Sequence, residues 1–266
     1  MKLLALDTST DRLCVALCGH GGVQAHEEPG GPRASLRLLP AAQALLARHG
    51  LVWADLNGLA YGEGPGAFTG LRGACAAVQG LALGLGLRAV GVCSLMIVAE
   101  DARQQALAQG VLRAEQACTV AVAVDARMGQ VYDKRMRWDG RRWLHLSQAQ
   151  VRLPDEVVME WAGRWAMDCD QHSEPWVLAG SGLGLMPTEP LSRLRGQASF
   201  WLPDTVERGV ALGRCADAAW ADAPHLDAAQ VMPRYVRDRV ALTTAERLGG
   251  GSSLTAQTTP AAGGST

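Results

Sequence analysis

Three stretches of this chain combine residue types that could do phosphate chemistry. The first is Asp7-Thr8-Ser9-Thr10, directly after the apolar run 3–6. A carboxylate followed by hydroxyls in a tight turn could hold a cation through Asp7 and offer Thr8 and Ser9 to a phosphate. Asp7 could equally cap its own turn by accepting a nearby backbone N–H. The cap is favoured, because ATP hydrolysis needs further carboxylates and adenosine contacts. The second stretch is Gly62-Glu63-Gly64-Pro65-Gly66-Ala67-Phe68-Thr69-Gly70-Leu71-Arg72. Its glycines permit a sharp corner before a helix N-terminus, and such a corner binds an anion or packs closely on a neighbour. Pro65 bars a continued strand ladder. Gly62-x-Gly64-x-x-Ala67 has the outline of a dinucleotide motif, but the next strand, 89–92, runs into Cys93 and Ser94 without the carboxylate a ribose requires. No Gly-Lys-Ser/Thr follows either, so the Walker reading fails. In the third stretch, Val124-Asp125-Ala126-Arg127-Met128-Gly129-Gln130, Asp125 is a candidate for a second phosphate turn. Arg127 and Met128 stand where small donors would be wanted, so a local ion pair or Asx-turn competes.

Other chemistries find little footing. His20, His26 and His49 do not share ligand spacing on one element, and His145, His172 and His225 are scattered. No His-Glu-x-x-His occurs. Ser9, Ser35 and Ser94 are not in a nucleophile elbow; Ser181, in Ala179-Gly180-Ser181-Gly182-Leu183, has only part of that form. The expectation there is a glycine-rich connection. No metal, cofactor or catalytic residue is therefore assigned.

The positioning elements read as mixed α/β. Short apolar strands at 3–6, 13–17 and 23–26 suggest an antiparallel meander. A helix follows at 36–49, with Leu38, Leu39, Ala42, Leu45 and Leu46 on one stripe. Strand 56–61, helix 68–85, strand 89–92 and helix 95–108 complete a first unit. The pattern then recurs. The run 120–124 ends in Asp125 as 3–6 ends in Asp7, a second strand follows at 130–136, and 176–184 echoes the strand and glycine turn at 59–66. The sequence thus predicts an internal duplication. Residues 164–174 read as a surface loop, and 249–266, rich in Gly, Ser, Thr and Ala, as a disordered tail.

With 266 residues, 48% of them hydrophobic, the chain suits one large domain or two lobes. A formal net charge of -1 gives no global basic field for RNA. Arg135, Arg137, Arg141 and Arg142 flank a hairpin turn at Asp139-Gly140 and read as a solvated hairpin. Of the seven cysteines, Cys14, Cys75, Cys93 and Cys118 sit in apolar runs, as small core residues do in a reducing compartment. No signal peptide is visible, which points to the cytoplasm. Helix 68–85 is apolar nearly all round, apart from Arg72 and Gln79. One stripe is Gly73, Ala77, Gly80 and Gly84; another is Phe68, Leu71, Cys75, Val78 and Leu85. Its glycines and its arginine argue against a membrane span. A helix of this kind must be covered on more than one side, by its own chain or by a partner.

Taken together, Met1 to Thr10, the glycine run and Val124 to Tyr132 resemble the TsaB (YeaZ) family. The resemblance extends to about Ala241 and includes Pro233-Arg234-Tyr235-Val236-Arg237. It implies a duplicated, two-lobed fold of the actin/Hsp70/sugar-kinase type, with lobes at 1–110 and 111–248. It further implies a pseudo-enzyme partner of TsaD in the synthesis of threonylcarbamoyladenosine in tRNA. A TsaE-like ATPase would join the assembly, a homodimer is an alternative state, and tRNA would be met only through the complex. Family members pair through the first two helices, which nominates Leu38, Leu39, Leu45, Leu46, Phe68, Leu71, Gly73, Ala77, Gly80 and Gly84 as interface residues. Asp7, Thr8 and Ser9 would be a vestigial phosphate turn. Catalytic relatives hold a metal through two histidines on the first long helix; here that stretch has none, and Ser35 stands where the family often has one. The alternatives are an ATP-dependent phosphotransferase of the same fold and a metalloprotease-like hydrolase.

Overall fold

The computed structural model describes residues 1–19, 21–31, 33–171 and 174–237. The expected tail at 249–266, together with His20 and His172, lies outside them. Met1–Val236 form one compact unit.

Two sheets carry the same strand order. In the first, β1 (Leu3–Asp7), β2 (Arg12–Gly19) and β3 (Gly22–Pro29) form the expected antiparallel meander. Two further strands, β4 (Gly58–Gly64) and β5 (Ala89–Cys93), then add in parallel beside β1, giving β3-β2-β1-β4-β5. The second sheet is built from β6 (Cys118–Arg127), β7 (Gln130–Trp138), β8 (Trp143–His145), β10 (Trp176–Ala179) and β11 (Phe200–Leu202), while β9 (Gln150–Arg152) also pairs with β7. Its order, β8-β7-β6-β10-β11, repeats that of the first sheet: two antiparallel neighbours on one side of the leading strand and two parallel ones on the other. This is the duplicated actin/Hsp70/sugar-kinase architecture.

Helices fill three layers. α1 (Ala34–Arg48) and α2 (Phe68–Leu85) cover the outer face of the first sheet, burying Leu38, Ala42, Leu45, Ala74, Cys75 and Val78 over Leu4, Leu6 and Tyr61. On its other face, α6 (Arg208–Asp222) inserts Ala211, Leu212 and Cys215 against Ala5, Ala16 and Val90. α3 (Ser94–Ala108) lies in this middle layer and presents Leu95, Val98 and Ala102 to Val120, Val122 and Met136 of the second sheet. α4 (Pro154–Gln171) and α5 (Thr188–Gln197) cover the far side. The chain therefore returns to the first sheet after completing the second.

Two expectations are corrected. Residues 164–171 are not a loop but the end of α4, anchored by buried Val157, Val158 and Trp161 and by Trp165, edge-on to Trp176 at 5.2 Å. The glycine turn also starts later than expected, since Gly62, Glu63 and Gly64 still belong to β4.

Candidate functional site

The turn after β1 is closed from within. Asp7, Thr8 and Ser9 are all buried. Asp7 Oδ1 accepts the backbone N–H of Ser9 at 2.9 Å, which is the cap that the sequence allowed. Its Oδ2 accepts from Arg208 at the first turn of α6, at 3.0 Å from Nε and 2.8 Å from Nη2. Ser9 Oγ accepts from the same guanidinium at 3.1 Å and from Ser94 at 3.2 Å. Thr8 donates to the carbonyl of Gly70 at 2.7 Å. Burial alone would push the Arg208 guanidinium toward losing its proton, but Asp7 and its acidic neighbours hold the pKa above its ordinary value. An incoming phosphate would have to displace all of these partners.

The glycine run serves the same turn. A Cβ on Gly62 would meet Asp7 Oδ1, one on Gly66 would lie 2.5 Å from the Ser9 carbonyl, and one on Gly70 would overlap the Thr8 carbonyl. Ala67 donates its N–H to the Ser9 carbonyl at 2.7 Å. The corner thus packs on a neighbour, the β1–β2 turn, and hydrogen bonds fix α2 against it.

The β6–β7 turn resolves in favour of the local pair. Asp125 Oδ1 accepts the Arg127 N–H at 2.6 Å, and its Oδ2 pairs with the Arg127 guanidinium at 3.2 Å. Arg127, Met128 and Gly129 all have positive φ. Ser181 accepts the N–H of Asp125 at 3.2 Å, a connecting role rather than a nucleophile's. Among the arginines of the neighbouring hairpin, Arg135 pairs with Glu160, Arg137 with Glu174 and Arg142 with Asp139.

The most open feature is the outward side of α1 and α2. Here the expected interface residues separate. Leu38, Leu45, Leu46 and Leu71 are buried in the chain's own core, so they cannot meet a partner. Gly73 and Ala77 are half-buried; Gly73 lies beside Ser35, and Ala77 packs on the core. Leu39, Phe68, Gly80 and Gly84 are exposed, and a Cβ on either of these two glycines meets nothing. Two residues not nominated dominate this side: Leu36 at 74% and Leu83 at 79% exposure. Helical phase could have found them, since Leu36 lies opposite the Leu38–Ala42–Leu45 stripe and Leu83 follows Ala76 and Gly80.

A strap formed by Val231 to Tyr235 borders this face. Gln79 donates to the Val231 carbonyl at 2.8 Å, Tyr61 Oη to that of Met232 at 3.1 Å, and the Arg234 N–H to the Glu63 carbonyl at 2.7 Å. At its end Tyr235 meets Phe68, with ring centroids 5.3 Å apart. Arg72 lies 3.8 Å above the Phe68 ring and donates from Nε to Tyr235 Oη at 2.9 Å. Glu63 itself is held above its ordinary pKa by burial, against the pull of Arg234 and Lys134.

Comparisons with known proteins agree with this architecture. A family model described as TsaD, tRNA N6-adenosine threonylcarbamoyltransferase, matches residues 23–171. The tRNA threonylcarbamoyladenosine biosynthesis protein TsaB of Escherichia coli (strain K12) is 38% identical over 187 residues, covering 70% of this chain and 74% of that protein. The protein of the same name from Buchnera aphidicola subsp. Schizaphis graminum (strain Sg) is 30% identical over 186 residues, 68% of this chain and 78% of that one. YeaZ from Pseudomonas aeruginosa superposes with a TM-score of 0.70 at 32% identity, spanning 88% of this chain and 99% of that chain. The family model is named for the transferase, but these longer matches are to TsaB and YeaZ. On fold, motifs and relatives alike, the chain belongs to the TsaB (YeaZ) family.

Proposed function

We propose that this protein serves tRNA threonylcarbamoyladenosine synthesis as a non-catalytic subunit that pairs with a TsaD-like transferase in the cytoplasm. The outward face of α1 and α2 is the pairing surface. The observation that carries this reading is that a large apolar side chain on each helix, Leu36 of α1 and Leu83 of α2, stands in solvent, and that Gly80 and Gly84 leave open space along α2. Large exposed apolar side chains beside small residues suit close helix approach, and a face of this kind marks a protein contact. The non-catalytic reading draws support from Arg208, an internal cation occupying the carboxylate that a phosphate site would need. A TsaE-like ATPase joins the pair, and tRNA is engaged by the assembly. Self-pairing through the same face is the competing state.

Gly80→Arg tests the surface. Its side chain enters open space in this chain, so the fold survives. In a closed helix contact, an unpaired charge costs about 3–5 kcal/mol, more than a hundredfold in affinity. The expected result is a circular dichroism spectrum like that of the unaltered protein, with loss of co-elution with TsaD. A folded variant that pairs with unchanged affinity overturns the assignment. Ala77→Glu is a poorer probe, because Ala77 also packs on the core.

A further inference from the structure

The pairing face carries charge of one sign. Neither α1 nor α2 contains an aspartate or a glutamate. Arg37 is matched by Glu28 at 2.9 Å. Arg33, Arg48 and Arg72 are exposed and have no carboxylate partner among the described residues. Of the three, Arg72 is the one held in place. Phe68 supports its guanidinium plane from one side, and Tyr235 fixes its Nε. The two terminal nitrogens are left as a fork, the geometry that accepts a carboxylate bidentately. Ordering it in advance removes much of the entropy cost of forming that contact.

We infer that the Phe68–Arg72–Tyr235 stack is the charge-reading end of this surface, and that its occupant is a protein of different sequence presenting carboxylates from its covering helices. The inference rests on the pairing surface proposed above. A second copy fits poorly. A two-fold contact sets the same patch against itself, so these arginines would meet a helix pair without carboxylates. Like charges brought together in this way disfavour the wrong partner. RNA fits less well than protein, because a face of leucines, glycines and a few spaced arginines is not a continuous basic groove.

The test measures the affinity of the full chain for TsaD from the same organism, at low and high salt, for Arg72→Leu, Arg72→Glu and Gly80→Arg. Arg72→Leu keeps apolar contact with Phe68 and removes the charge together with the hydrogen bond to Tyr235. The expected losses are about tenfold for Arg72→Leu and more for Arg72→Glu, together with a shallower salt dependence for both. Melting temperatures close to that of the unaltered chain show that the fold is intact. If Gly80→Arg abolishes pairing while both Arg72 variants bind normally with the original salt dependence, this inference falls and the pairing surface stands. If Gly80→Arg also binds normally, the surface itself is wrong. If Arg72→Glu leaves TsaD binding intact but abolishes binding of an anticodon stem-loop RNA by the isolated chain, the ligand is RNA and the inference is overturned.

Discussion

Arg208 and Asp7 form an ion pair with both side chains almost wholly inside the protein. Removing one partner strands the other charge, at a cost of about 3–5 kcal/mol. Arg208→Met should lower the urea-derived unfolding free energy by that amount, and the double variant Asp7→Leu/Arg208→Met should recover much of it. A loss below 1 kcal/mol would contradict the arrangement. The glycines of the α2 corner divide on the same physical basis. Gly70→Ala drives a methyl into the backbone carbonyl of Thr8, which cannot give way as a flexible side chain would. Its cost should reach or exceed the about 1–3 kcal/mol of ordinary overpacking. Gly84→Ala meets nothing and sits inside a helix, so a gain of about 0.5–1 kcal/mol is expected. Thermal melts of the two variants should move in opposite directions. The turn at Asp7 was legible in sequence as a turn with a capping carboxylate. Its partner was not, because 201 positions separate Arg208 from Asp7 and no local pattern joins them.

At the scale of elements, the sequence was most readable where periodicity was strong. Helix 68–85 matched its expected limits, and the three meander strands lie where expected, although β3 runs on to Pro29 instead of ending at 26. The end of α4 was misread because its polar exposed side masks a stripe made by Val157, Val158, Trp161 and Trp165. On α1, Leu38 is fully buried while its neighbour Leu39 is exposed at the edge of the stripe, and composition cannot tell them apart. The end of β4 has a pH signature. Because burial raises the Glu63 carboxyl, the folded chain holds that proton more tightly than the unfolded chain does. Its contribution to stability is therefore fully present below the ordinary value of 4.5 and is lost as pH rises from there through the raised folded value. Glu63→Gln removes this component. The stability difference, variant minus unaltered protein, should rise with pH across that window and then level off. A flat difference would show that Glu63 is not desolvated.

For the molecule as a whole, the doubled strand order was readable because each half opens with an apolar run ending in aspartate. The crossing of α6 back to the first sheet was not, because its apolar residues name no particular sheet. That crossing has a consequence in time. The chain leaves the ribosome from its N-terminus, and the first sheet is made early, but the layer formed by Ala211, Leu212 and Cys215 is supplied last. Until then Asp7 has no guanidinium, and Ala5, Ala16 and Val90 have only Ile97 and Met96 of α3 as cover on that side. Synthesis must therefore pass α6 before the strands of the first sheet can be sealed. A fragment ending at residue 110 should show no cooperative melt and should bind a hydrophobic dye. The intact chain should gain protection from hydrogen exchange in β1 and α6 together, as a single late event.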